Sequence, residues 1–297
     1  MSTASPYALY LSKLSATSRV SIASQLRSIA RIMGWPLDDV TRFNRVNYQE
    51  MLQIRTLLQH EGWAPRSINR AQVALKSIVK IAVMMKQANA EQLEQLSTIS
   101  QLKYPEFQGT ALTKQQVKSL FEMLTRSTSA TGIRNVALFA VLLGTGLRRS
   151  ELVALDIKDL DLSKQTLLVR HGKGNKSRTV FLPEWCQQHL QNWLALRSKQ
   201  AGFLFCPVQV GGKVSPDSTI SVSLVFRLIK SKLKRIGVEN ASPHDLRRTF
   251  ITRLLEQNVD LNTVRQMAGH AAITTTTIYD KRDVQFMQQA AAALRYE

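Results

Sequence analysis

The sequence predicts a mainly α-helical chain in two parts, with a small antiparallel sheet confined to the second part. Three observations carry that expectation. Through the first third, apolar residues recur at intervals of three and four, the spacing of one helix face. Periodicity then lapses between Leu102 and Thr113, where LKYPEFQGTALT contains Pro105 and Gly109. Beyond it helical spacing returns, interrupted once by polar and apolar alternation in IKDLDLSKQTLLVRHGKGNKSRTVFLP. Neither an internal repeat nor a low-complexity tract is present.

Taken in order, the first clear helix runs from Ile22 through Leu26, Ile29, Ala30 and Met33 and stops at Gly34. A second begins at Pro65 and puts Ile68, Ala71, Leu75, Ile78, Val79 and Ala82 on one face. Arg66, Arg70, Lys76 and Lys80 fall on the opposite third of that helix, so one face can enter a bundle while the other meets phosphates. A merely solvated basic face is the alternative. Residues 1–103 form the expected helical part, 104–112 a linker and 113–297 the mixed part. There, Thr113 caps a helix, another covers Ile133 to Gly144, and the alternating stretch turns at Ser163 and again across Gly172 to Asn175. Helices follow near 184–197, 219–236, 243–257 and 260–268, and the stretch Val284 to Leu294 also has helical spacing.

Composition narrows the function. Forty Lys and Arg against 21 Asp and Glu give a formal charge of +19 over 297 residues, which favours a polyanionic partner. The excess is not confined to one end: it is 13 against 7 in residues 1–108 and 27 against 14 beyond. No stretch approaches the roughly 20 apolar residues of a spanning helix, and MSTASPYALYLSKLSATSR lacks the pattern of a secretory leader. Cys186 and Cys206 have no metal-ligand spacing, which argues against a thiolate site or a disulfide framework and for a reducing cytoplasm. Nucleic acid is the partner that remains.

Four segments could carry chemistry. In SPHDLRRTF, Ser242 caps a helix whose first turn presents His244 and Arg247, three apart, where free backbone N–H groups favour a phosphate. In GTGLRRSEL, Arg148 stands at the junction of two helices, where a guanidinium can contact two phosphate oxygens, and Glu151 could hold a neighbouring cation. GKGNK puts Lys173 at a hairpin tip. In GHAAITTTTIYD, His270 follows the helix stop at Gly269 and Tyr279 comes nine residues later. Each segment alone has an ordinary structural explanation: a basic first turn, a surface Arg–Glu pair, a basic hairpin, a packed tyrosine.

In this order, TGLRRSEL, GKGNK, HDLRRTF and GHAAITTTTIY resemble the tyrosine site-specific recombinases, which include phage and transposon integrases and the Xer proteins. The resemblance covers residues 110–297; the N-terminal part matches in length and in helical, basic character. It implies the tyrosine recombinase fold, with a SAM-like core-binding domain ahead of an α+β catalytic domain. It also implies a catalytic set of Arg148, Lys173 (in preference to Lys176), His244, Arg247, His270 and the nucleophile Tyr279. Arg149 stands where the family often has an apolar residue, and YDKRD after the tyrosine is closer to mobile-element integrases.

The implied reaction is cleavage and rejoining of duplex DNA through a 3′-phosphotyrosine and a Holliday junction, with no cofactor, metal or ATP. Four protomers would act together on two DNA sites, with or without a second recombinase or an accessory factor. The C-terminal DVQFMQQAAAALRYE, with Phe286, Ala290, Ala293 and Leu294 at helical spacing, could dock on a neighbouring protomer or on its own domain. Two other outcomes stay open: DNA relaxation of the type IB topoisomerase kind, and DNA binding without catalysis.

Overall fold

The structure, a computed structural model, describes residues 4–104, 109–170, 177–197, 199–270, 272–279 and 292. The chain divides into two compact units, Met1–Phe107 and Gln108–Glu297.

The first unit is all helical. It comprises α1 (Pro6–Ser12), α2 (Ala16–Ile32), a 3-10 turn (Val40–Arg45), α3 (Tyr48–His60), α4 (Pro65–Met84) and α5 (Ala90–Thr98). Helix α4 touches every other element of the unit. The six apolar residues expected on its inner face, Ile68 to Ala82, are all completely buried, each worth roughly 1–3 kcal/mol of transfer free energy. Helix α2 begins six residues before the expected Ile22, because the Ser15 side chain accepts from the Ser18 N–H. The intervening ATSRVS has no apolar periodicity to betray it. Asn69 pins the outgoing chain: its side chain donates to the Leu102 carbonyl (2.9 Å) and accepts the Leu102 N–H (2.8 Å). Of the expected basic face, Arg66, Arg70 and Lys80 are exposed. Lys76 is not free to the same degree, since its ammonium donates to the Ile99 carbonyl at the end of α5 (2.7 Å).

The second unit is built round α7 (Ala130–Thr145), which lies between α6 (Lys114–Thr125), α9 (Glu184–Arg197) and α11 (Pro243–Glu256). Residues 134–145 of α7 are buried on every side, as suits the apolar run VALFAVLLG. The short α8 (Arg149–Val153) and a 3-10 turn (Ile157–Asp159) lead into a three-stranded antiparallel sheet. Strands β1 (Leu160–Asp161), β2 (Thr166–Val169) and β3 (Arg178–Phe181) lie in sequence order, with Leu167 opposite Val180 on the buried face. The second expected hairpin turn, Gly172 to Asn175, lies outside the described residues.

The unit continues with α10 (Val222–Lys234), α12 (Leu261–Ala268) and α13 (Thr274–Thr277). Helix α10 starts after the expected residue 219, because Ile220 is buried in extended chain and Ser221 provides the cap. Of the expected linker, residues 109–112 pack on α11. The Leu112 N–H donates to Thr249 Oγ1 (2.8 Å), and a Cβ on Gly109 would sit 2.0 Å from the Asp245 carboxylate. The expected helix Val284 to Leu294 falls outside the described residues, apart from the single position 292. No helix among the described residues is long and apolar enough to cross a membrane. Both cysteines are free and buried, and burial pushes the Cys186 thiol up to about 12.

Candidate active site

Helix α7 ends because Gly146 turns left-handed (φ 64°). The same residue must lack a side chain, since a Cβ there would stand 2.3 Å from the Phe250 ring. This tight turn aims two groups at one place. The Gly146 carbonyl accepts from Arg247 Nη1 (2.8 Å), and Arg148, two residues on, caps α8.

Glu151 organises the corner. Its carboxylate takes the Arg148 N–H (2.8 Å), Arg148 Nη1 (2.8 Å) and both terminal nitrogens of Arg178 (3.0 and 2.9 Å). Only 2% of its side chain is exposed. Burial alone would raise its pKa, but the Arg178 and Arg148 bonds win and hold it at about 2. Arg148 Nη2 reaches on to the Gly269 carbonyl (3.1 Å), tying this corner to the end of α12.

Arg247 enters from the first turn of α11, behind Pro243 and the Ser242–Asp245 capping box. It is 4% exposed, and its Nη2 is buried without a hydrogen-bond partner among the described residues. Burial and the nearby positive charge of Arg148 draw its pKa down to about 10, so it stays cationic at neutral pH. A buried guanidinium nitrogen without an acceptor costs free energy, and an anionic oxygen would relieve that cost. His244, one turn earlier, keeps exposed surface. Desolvation by surrounding protein atoms, with the charges of Arg247, Arg149 and Arg148, lowers its pKa below the ordinary 6.5.

Gly269, left-handed at φ 67°, stops α12 and delivers His270 into the interior, 6% exposed. His270 Nδ1 lies 2.8 Å from the hydroxyl of fully buried Thr276. The short α13 then carries the chain to Tyr279. Its ring stacks on His270 (centroids 6.1 Å apart, 22° between planes), and the Arg248 guanidinium stands 4.7 Å from its centroid. A cation over the ring favours the developing phenolate.

The structure thus brings together Arg148, Arg247, His244, His270 and Tyr279. Lys173 lies outside the described residues. Arg66, Arg70, Lys76 and Lys80 belong to the other compact unit. Sequence reasoning passed over Arg178, Arg248 and Thr276. Arg248 had a signal, as the residue after Arg247 and so on a neighbouring helix face. Arg178 and Thr276 had none, because their partners are 27 and six residues away. Arg149, the departure from the family pattern, lays its guanidinium over the partly exposed Phe226 ring (5.1 Å). Among the described residues no group of three or more His, Cys, Asp or Glu side chains is placed to hold a metal ion.

Residues 110–285 match the model of the phage integrase family. The chain is 30% identical over 242 residues to tyrosine recombinase XerA of Pyrococcus furiosus, covering 82% of this chain and 79% of that protein. It is 34% identical over 246 residues to tyrosine recombinase XerC of Bacillus licheniformis, covering 80% and 77%. Among solved structures it resembles the Tn1549 transposon integrase in complex with a circular intermediate DNA (TM-score 0.74, 19% identity, 99% of this chain and 100% of that one). It also resembles a lambda integrase dimer bound to a COC′ core site (TM-score 0.66, 15% identity, 91% and 93%).

Proposed function

The chain belongs to the phage integrase family and is a tyrosine site-specific recombinase, and on that premise we propose that Tyr279 is its nucleophile within a site made by Arg148, Lys173, His244, Arg247 and His270. The observation that carries this reading is the unpartnered, buried Nη2 of Arg247, in the same cluster as Arg148 and Tyr279. A phosphodiester oxygen is the acceptor that the cluster lacks.

Phosphodiesters resist attack because the anion repels a nucleophile and the leaving alkoxide is poor. Arg247 and Arg148 neutralise the non-bridging oxygens, most strongly as charge builds up in the transition state. His270, oriented by Thr276, adds a hydrogen bond to those oxygens. The Tyr279 oxygen attacks phosphorus and forms the 3′-phosphotyrosine bond, while the bond to the 5′ oxygen breaks. The phenol proton goes to His244, whose lowered pKa keeps it neutral and able to accept. Lys173 protonates the departing 5′ oxygen. The ester keeps the bond energy, so a second 5′ hydroxyl can reverse the step without ATP.

Residues 1–103 act as the core-binding domain, with Arg66, Arg70 and Lys80 on phosphates and Lys76 contributing less because the Ile99 carbonyl holds it. Residues 104–112 link it to the catalytic domain, 113–297. Four copies on two duplex sites exchange strands through a Holliday junction, and the DNA substrate puts this work in the cytoplasm.

A nicked suicide duplex built from the DNA flanking the gene tests the nucleophile. Wild type should form a covalent protein–DNA adduct and Tyr279→Phe none; an adduct with Tyr279→Phe refutes the assignment, and none with wild type leaves DNA binding alone. A two-site plasmid then separates recombinant products from bare relaxation.

A further inference from the structure

Arg178 opens β3, where it pairs with Val169 at the end of β2. Its position is otherwise that of a buried structural residue: the side chain is 15% exposed and both terminal nitrogens bind one carboxylate. Three features go beyond that. Its Nε is buried with no hydrogen-bond partner among the described residues. Its guanidinium lies beneath Gly269, where a Cβ would come within 2.8 Å of Nε and Cζ. And the carboxylate it grips is also the partner of Arg148.

The charges decide what this does. One carboxylate cancels one guanidinium, so Glu151, Arg148 and Arg178 together keep a charge of +1. Arg178 holds Glu151 through two side-chain bonds, whereas the Arg148 side chain makes one to Glu151 and one to the Gly269 carbonyl. Without Arg178, Glu151 would have Arg148 as its remaining partner and would cancel it. The positive charge that Arg148 and Arg247 together bring to the non-bridging oxygens would then fall to that of Arg247.

Resting on the cleavage site proposed above, we infer that Arg178 is a positioning residue that occupies Glu151 and so leaves the charge of Arg148 available to the scissile phosphate. It also fixes the Gly269 turn from which His270 departs, so β3, the α8 corner and the end of α12 meet on one side chain.

The test uses the full chain and two suicide duplexes that differ at the scissile position. One carries the ordinary phosphodiester; the other carries a methylphosphonate, which has no charge to neutralise. Single-turnover strand scission is compared for wild type, Arg178→Met and Arg178→Lys, with non-covalent binding followed by gel shift. On the phosphodiester, Arg178→Met should be slowed on the order of tenfold to a hundredfold, with binding within about threefold of wild type. On the methylphosphonate most of that deficit should disappear. An equal slowing on both substrates would mean a merely structural arginine and overturns the inference, as does no slowing on either. If Arg178→Met does not fold, Arg178→Lys, which keeps a cation but loses the fork, carries the same comparison with a smaller deficit. Failure of wild type to cut the phosphodiester would instead refute the cleavage site itself.

Discussion

Replacing Glu151 with glutamine removes a carboxylate that two guanidiniums share and keeps its shape. At neutral pH the wild-type carboxylate is ionised, 2% exposed, and held at about 2 against an ordinary value of 4.5. A folded pKa below the unfolded one stabilises the protein above the unfolded value, and that stabilisation is lost as pH falls through the folded value. The gap corresponds to roughly 3 kcal/mol at pH 7 and shrinks to roughly 1 kcal/mol at pH 3. Removing one member of a buried ion pair costs about 3–5 kcal/mol, the same range. Urea unfolding should follow the C-terminal unit through Trp185 and Trp193, with Trp35 and Trp63 changed to phenylalanine. With a slope of about 2 kcal/mol/M, Glu151→Gln should lower the midpoint by about 1.5 M at pH 7. At pH 3 the difference should fall to less than half of that. A difference under about 0.5 M at pH 7, or one of the same size at pH 3, would show that the carboxylate's charge does not hold this corner together.

Arg247→Ala should slow strand scission by about a hundredfold or more while leaving non-covalent binding nearly intact; a matching loss of binding would assign Arg247 to affinity instead of chemistry. Gly146→Ala meets both a left-handed backbone and the Phe250 ring at 2.3 Å, so thermal unfolding should report a loss of about 2–4 kcal/mol. Because the folded pKa of His244 is lowered, the folded state binds fewer protons than the unfolded one in the window just below 6.5. Its contribution therefore makes stability rise with pH there, and the acid limb of the scission rate should lie below pH 6.5; a limb unchanged in His244→Gln would remove it as the base. Lys80→Ala should lower affinity uniformly across DNA sequences and reduce the salt dependence by about one charge.

The sequence by itself determined the helical and sheet elements wherever periodicity and caps coincide. The inner face of α4, the Thr113 cap, the glycine stop at Gly269 and the alternation of β2 with β3 are local signals, and each is a property of neighbouring residues. Helix α2 shows the limit of that legibility: its first six residues carry no apolar periodicity, and only the Ser15 cap marks its start. The candidate residues were legible for a different reason, since four short segments in a known order single out Arg148, His244, Arg247, His270 and Tyr279. What only the tertiary structure decided is how their charges are apportioned. Glu151 is divided between Arg148 and Arg178 across 27 residues, Arg247 is left with an unpartnered nitrogen, Lys76 is taken by a carbonyl of α5, and Tyr279 is set between His270 and Arg248. A guanidinium has the same letter in the sequence whether it is cancelled, shared or free. Burial and partner geometry decide which, because at short range in a desolvated site a charge is worth only what its neighbours leave uncompensated.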